Sequence, residues 1–405
     1  MSGFHLNRFF AAAALAGLAA CGGQQNTPKT PALPPAPPAV VEAPRNQNQP
    51  DYLRLPNQPD TVLPVRVGVI LPFASSNAAT RALAGSMMKA AELAMFDSAN
   101  KNILLLGADE GATPAEATEA AKKLLAEGAE VIVGPLFGPS VSAVTPLAQE
   151  KGVPVLAFST EKSVAGNGAY LISFLPQNEV RRVVLYAASQ GHSKFAALVP
   201  ESAYGEVTEG AFHDAVIAAK ASAVDVEHFT PNANAVTDPA AAVVKTDADA
   251  LLIAQGGTVL KAIGPALVFD GLDRAKVKLL GTGLWDDASL SREDSLTGGW
   301  YAAPEPDADA AFIAKYHAAF GLNPATLASL AYDAVSLVAL LSEGKPYQRF
   351  TNSALMDPNG FAGVNGIFRF NADGTSERGL AVLEMTPAGP TVVDPAPKTF
   401  QKPAM

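Results

Sequence analysis

The sequence predicts an α/β protein built from two doubly wound parallel-sheet lobes. Short apolar runs alternate with amphipathic helical patterns for roughly 280 residues from Val65 onward, the order of βαβ units. The strand runs are continuous rather than alternating, as in "VRVGVIL", which fits strands buried on both faces. About 340 residues remain once the first 64 are set aside, and beyond about 250–300 a single core tends to split.

Each element follows from its own pattern. Val65–Leu71 is the first strand, and the helix after it places Leu83, Met87, Ala90, Ala91, Ala94 and Met95 on one face. Ile103–Asp109 is the next strand. Thr113-Pro114-Ala115-Glu116 then opens a helix with a capping hydroxyl, proline at the first turn and a glutamate to close a capping box. Gly128 is a natural stop for it. "EVIVGP" and "VPVLAF" are strands three and four, with a helix over Ser140–Gln149 between them. A second apolar run follows at Tyr170–Phe174. A helix near Asn178–Ser189 precedes strands at Lys194–Val199, Val224–Phe229, Ala250–Ala254 and Val277–Gly281. A long helix is expected from about Pro324 to Glu343, capped by Asn323 and stopped by Gly344. "GIFRFNADGTSERGLAVLEM" reads as two strand runs around the hairpin signal Asp373-Gly374.

The first 64 residues differ. Arg8 supplies a positive flank, Phe9–Ala20 is an apolar run too short to span a bilayer, and Leu18-Ala19-Ala20-Cys21 resembles a bacterial lipobox. That resemblance implies a signal peptide over 1–20 and a lipid anchor on Cys21, the one cysteine of the chain. Several acyl chains, at about 0.8 kcal/mol per buried methylene, hold such a protein on a membrane. Gly22 at the sorting position leans towards the outer membrane, so the expected location is the periplasm. Residues Gly22–Pro64 are rich in Pro, Gln and Asn and read as a tether. Stiff polyproline would reach on the order of 120 Å and a relaxed coil ~35 Å.

Composition excludes several function classes. The net charge is −10 with no basic stripe, which disfavours nucleic acid. No G-x-S-x-G elbow, Walker loop or complete dinucleotide fingerprint occurs, and "GTGLWD" carries Asp286 where the last glycine belongs. His192, His213, His228 and His317 fall at no metal-ligand spacing. No catalytic residue, metal or cofactor is therefore expected.

Several stretches together resemble the type I periplasmic binding proteins of the leucine-binding superfamily. They are "VGVILPF", "GADEGATPAEATEAAKKLLAEGAEVIVGP", "VTPLAQEKGVPVLAFS", "PESAYGEVTEGAF" and "GVNGIFRFNADG". The resemblance implies two lobes joined by three crossovers around a ligand cleft. Carried over, the crossings fall near Phe174–Gln177, Ala303–Pro306 and Gln348–Asn352. Lobe 1 is then 65–176 with 304–348, lobe 2 is 177–303 with 349–390, and 391–405 is a tail. In amino-acid-binding members a serine four residues after the strand-three glycine, and an S-x-x-A-T pattern after strand four, grip the ligand carboxylate. A second-lobe glutamate takes the ammonium. Here the serine position is Gly138, the pattern falls on Ala157–Glu161, and "AQGGTVL" offers no acid. A negative charge beside an incoming carboxylate is unfavourable at low dielectric.

Ser159, Thr160 and Glu161 remain cleft candidates, suited to a cationic or hydroxyl-rich ligand or to a loop that bonds only to itself. Tyr204 and Trp285 each follow a second-lobe strand and suit the cleft or the core equally, while Phe137 leans towards the core. The stretch "VGPLFGPSV…VPVLAFSTEKSVAGNGAYLISFLPQNEVRRVVLYA" is more similar to the outer-membrane lipoproteins that activate penicillin-binding proteins. That branch implies a non-enzymatic activator or scaffold of peptidoglycan synthesis with a penicillin-binding protein as partner. Its best-known member has an additional helical-repeat domain where this chain has only the tether. The alternative is a receptor that passes a small polar solute, possibly an amino acid, to an ABC permease.

Overall fold

The computed structural model describes residues 64–401 except 101, 346 and 347. Cys21 and the tether lie outside the described residues.

The first lobe starts with β1 (Val65–Leu71), α1 (Ala78–Asp97), β2 (Ile103–Asp109), α2 (Pro114–Ala126), β3 (Val131–Val133), α3 (Gly138–Glu150), β4 (Val155–Ala157) and β5 (Ala169–Leu171). Its sheet has the parallel order β2-β1-β3-β4-β5, which reverses direction between β1 and β3. Such a switch point opens a crevice at the carboxyl ends of the strands. The helix starts follow local chemistry. Asn77 accepts from the N–H groups of Ala79 and Thr80, and Thr113 with Glu116 forms the expected capping box.

The second lobe comprises α4 (Pro176–Ser189), β6 (Lys194–Pro200), α5 (Ala203–Ala218), β7 (Ser222–Phe229), α6 (Thr237–Val244), β8 (Ala250–Ile253), α7 (Gly257–Phe269), β9 (Lys278–Gly281) and β10 (Trp300–Ala303). Strand β8 shows why these strands read as unbroken apolar runs. Leu251 and Ile253 pack into one core layer, and Ala250 and Leu252 into the layer on the other face.

The chain then returns to lobe 1 with α8 (Ala310–Phe320), α9 (Ala328–Leu341), α10 (Asn352–Leu355), β11 (Phe361–Gly363), β12 (Gly366–Phe370) and β13 (Ser376–Arg378). It ends in lobe 2 with the antiparallel strands β14 (Ala381–Thr386) and β15 (Gly389–Asp394), giving the order β15-β14-β10-β9-β8-β6-β7. Among the described residues no helix is long and apolar enough to cross a membrane.

The structure corrects four expectations. The third crossing is not at Gln348–Asn352, because Phe350, Leu355, Phe361, Phe368 and Phe370 all pack on the lobe 1 core. Arg349 also pairs with Glu130 of lobe 1 at 3.3 Å. Residues 349–370 therefore belong to lobe 1, and the crossing lies between Phe370 and Leu380, whose side chain enters the lobe 2 core. The tail is not separate from 391 onward, since β15 extends to Asp394 and pairs with β14. The helix expected from Pro324 starts only at Ala328, because the Ala325 N–H is drawn to Ser86 Oγ on α1 at 2.8 Å. The second strand run after Asp373-Gly374 divides in two: β13 pairs with β12, and β14 continues in the other lobe.

Crossings one and three are locked together by Arg378. Its buried guanidinium donates to Ser173 O at 3.3 Å and to Asp333 of α9 at 3.4 Å, and lies over the rings of Phe174 and Phe368 at 4.7 and 5.1 Å. Asp333 also accepts from Val364 N at 2.7 Å. Burial pushes Asp333 up to about 6 against the pull of Arg378 and of the Val364 N–H. Removing one partner leaves an uncompensated buried charge, so Asp333→Ala should destabilise the protein by about 3–5 kcal/mol in urea denaturation. The double variant Asp333→Ala with Arg378→Met should recover part of that loss. Equal destabilisation of single and double variants would contradict the pairing.

Candidate functional site

The candidate residues lie on loops and helix starts at the carboxyl ends of the parallel strands of both lobes, where open α/β sheets hold ligands. In lobe 1, Asp109 Oδ1 accepts from Ala74 N at 2.9 Å and holds the loop after β1. Glu110 is fully buried and accepts from Leu136 N at 2.9 Å and Phe137 N at 3.0 Å. Burial pushes the Glu110 carboxyl above the usual range, and those two N–H groups oppose the shift. Gly134, at φ +92°, is needed where this loop passes Ile70, because a Cβ there would strike the Ile70 carbonyl.

Ser159 is buried, and its hydroxyl accepts from Glu161 N at 3.1 Å, so it braces its own loop. Thr160 is exposed. The carboxylate of the exposed Glu161 lies against Gly138 at the start of α3, and a larger side chain at 138 would require it to shift. Glu161 thus fills the volume that a side chain at position 138 would occupy. Phe137 is 45% exposed rather than part of the core, because its backbone N–H, not its ring, is what Glu110 fixes.

In lobe 2, Tyr204 sits in the first turn of α5, and its hydroxyl shares a 2.8 Å hydrogen bond with Thr282 Oγ1. Glu179, in the first turn of α4, accepts from Gly283 N at 2.9 Å. A Cβ at Gly283 would lie 2.8 Å from Glu179 Oε1, so a side chain there would push the carboxylate out of this hydrogen bond. Burial pushes Glu179 up to about 7, and the Gly283 N–H opposes it. Burial and the Glu179 charge together push the Tyr204 hydroxyl up. Four residues from three separate elements therefore form one polar cluster.

Trp285 is a correction. Its ring is fully buried and packs against Gly281, Gly299 and Tyr301, inside the lobe 2 core rather than in the crevice. The chain turns through a short 3-10 helix after β9, which drives the indole inwards.

The sequence reading missed Glu179, Glu110 and Thr282. It sought a second-lobe acid after β8, whereas Glu179 lies just past the first crossing, where it reads as an ordinary acid in a helix's first turn. Its one signal was Gly283, a glycine across the fold that leaves room for the carboxylate.

The model of a periplasmic binding protein family matches residues 64–390. The chain belongs to that family. Among solved structures it is similar to a putative branched-chain amino acid ABC transporter protein from Rhodospirillum rubrum. The identity is 18%, the coverage 82% of this chain and 100% of the other, and the TM-score 0.73. LivJ of Streptococcus pneumoniae, solved in complex with isoleucine, is 20% identical over 82% of this chain and 100% of its own, with a TM-score of 0.57. A solute binding protein from R. palustris in complex with benzoate is 19% identical over 82% and 97%, with a TM-score of 0.56. These likenesses show the type I binding-protein fold. An uncharacterized protein of Rickettsia prowazekii is 20% identical over 172 residues, which span 42% of this chain and 45% of the relative.

The Glu179 carboxyl yields a pH signature. Because its folded value of about 7 lies above the ordinary 4.5, the native state keeps a proton that the unfolded chain releases. Its contribution is intact below about 4.5 and is lost as pH rises through about 7, by up to about 3 kcal/mol. Glu179→Gln should therefore lose less stability than wild type between pH 5 and pH 8 in urea titrations. Parallel pH curves for the two proteins would contradict this.

Proposed function

We propose that the protein is a non-enzymatic periplasmic solute receptor serving an ABC importer, with a crevice that favours a cationic group over an α-carboxylate. The observation that carries the ligand class is the Glu161 carboxylate seated against Gly138, together with Glu179 and Tyr204 in the opposite lobe. A carboxylate arriving at Gly138 would meet like charge, while an ammonium or guanidinium group near Glu179 would draw its carboxyl into the ionised form. The receptor reading is supported by the family match over both lobes and by solved relatives described as ABC transporter proteins.

A second reading is favoured by the tether. A lipid anchor at Cys21 and a Pro-rich reach to Pro64 suit a module that docks on a partner at a distance, such as a penicillin-binding protein engaged in peptidoglycan synthesis. Crosslinking and pull-down of the full chain from cell envelopes separates the two. Recovery of a permease supports the receptor, and recovery of a penicillin-binding protein supports the activator. In the activator case, deleting most of 22–64 abolishes envelope function while shuffling those residues preserves it.

Leucine, isoleucine and valine should bind weakly or not at all in calorimetry, and a micromolar constant for any of them would overturn the proposed ligand class. Replacing Glu161 with threonine and Gly138 with serine together should strengthen isoleucine binding at least about tenfold, the yield of one new hydrogen bond to a charged group. Gly138→Ser alone should strengthen it less, because the Glu161 carboxylate still places like charge beside the incoming one.

A further inference from the structure

A second pocket, of about 500 Å³, lies on the hinge, between α4 of lobe 2 and the β12–β13 ribbon of lobe 1. Four arginines line it: Arg181 and Arg182 from α4, and Arg369 and Arg378 from the ribbon. Three of them are matched by acids. Arg182 donates to Asp394 at 2.7 Å, Arg369 to Glu377 at 2.6 Å, and Arg378 to Asp333 at 3.4 Å. The fourth, Arg181, is exposed and has no hydrogen bond or ion pair among the described residues.

Arg378 adds an independent observation. Its side chain is 1% exposed, yet its Nη2 has no hydrogen-bond partner among the described residues. A buried guanidinium nitrogen without an acceptor is unfavourable unless something supplies one. Arg378 lines the pocket as a residue while its Nη2 is closed to solvent, and Glu377 is the one carboxylate in the lining, so Arg181 carries the unmatched positive charge. Asn178 and Asn371 line it too, with their amide groups bonded to Ser376 O at 2.7 Å and Thr375 Oγ1 at 3.1 Å.

We propose that this pocket is an oxyanion site that takes a phosphate group, held by Arg181 with Arg369 facing it from the ribbon. The donors come from a helix of one lobe and a strand of the other, so they approach the centre from different directions. A tetrahedral oxyanion accepts such bonds more readily than a planar carboxylate, and guanidinium is the side chain best matched to it. The pocket of about 500 Å³ has room for a phosphate group carried on a larger molecule, either a soluble phosphate ester or a lipid headgroup. A ligand there touches both lobes beside two of the three crossings and would hold them in one relative position.

The site is separate from the crevice and does not rest on the receptor reading. Titration calorimetry of the full chain with inorganic phosphate and with pyrophosphate tests it, beside sedimentation with phosphatidylglycerol vesicles. Binding of either phosphate probe, or of the vesicles, should weaken at least tenfold in Arg181→Glu, a surface change that leaves the fold intact. Arg369→Gln, which frees Glu377, should weaken it as well. Loss of phosphate binding in both variants supports a soluble phosphate, and loss of vesicle binding alone supports the headgroup. No binding of any of these probes, or equal binding by wild type and Arg181→Glu, would overturn the proposal. So would capture of a glutamate peptide without capture of phosphate.

Discussion

The buried pair of Arg378 and Asp333 is the constraint on which the two-lobe arrangement depends. One guanidinium holds the backbone of the first crossing at Ser173, the ring of Phe174, the carboxylate of α9 and the ring of Phe368. Its own strand lies in the third crossing. Taking both charges out of water is costly, and the contacts around them offset that cost only if each keeps its place. Every crevice loop is positioned relative to these crossings, so the geometry of the site follows from the hinge.

Each lobe then presents a different face to the crevice. In lobe 1 two acids hold backbone: the exposed Asp109 and the buried Glu110 each fix a loop, and Ser159 braces the strand-four loop. Glu161 and Thr160 stand at the surface with Phe137, and Glu161 covers the start of α3. In lobe 2 the cluster of Glu179, Tyr204 and Thr282 is gathered at Gly283, where the missing side chain lets the half-buried carboxylate approach the backbone. The charge of Glu179 is poised near neutrality of the solution because desolvation outweighs the single N–H it receives.

The fold class was legible because doubly wound sheets write themselves into a chain. Strands covered on both faces give unbroken apolar runs, and the capping box at Thr113–Glu116 and the turn at Asp373-Gly374 are local chemistry that needs no tertiary context. Ser159, Thr160, Glu161 and Tyr204 were named as candidates by a related rule, that residues following a strand in such sheets stand at the crevice. Trp285 obeyed the same rule and still went into the core, because one turn of 3-10 helix after β9 reversed its direction.

By itself the sequence determined the alternation of elements, the loops that follow the strands and the residue types at Gly138 and Glu161. These are properties of neighbouring residues, set by burial periodicity and turn chemistry. Only the tertiary structure decided that residues 349–370 complete lobe 1, that Glu161 sits on Gly138, and that Glu179 meets Gly283 across 104 residues of chain. Those outcomes depend on which surfaces pack together, and a phenylalanine or a glutamate carries no local mark of the partner it will bury against. The hinge arginines show the same limit: four scattered cations become one site only when α4 and the β12–β13 ribbon are brought face to face.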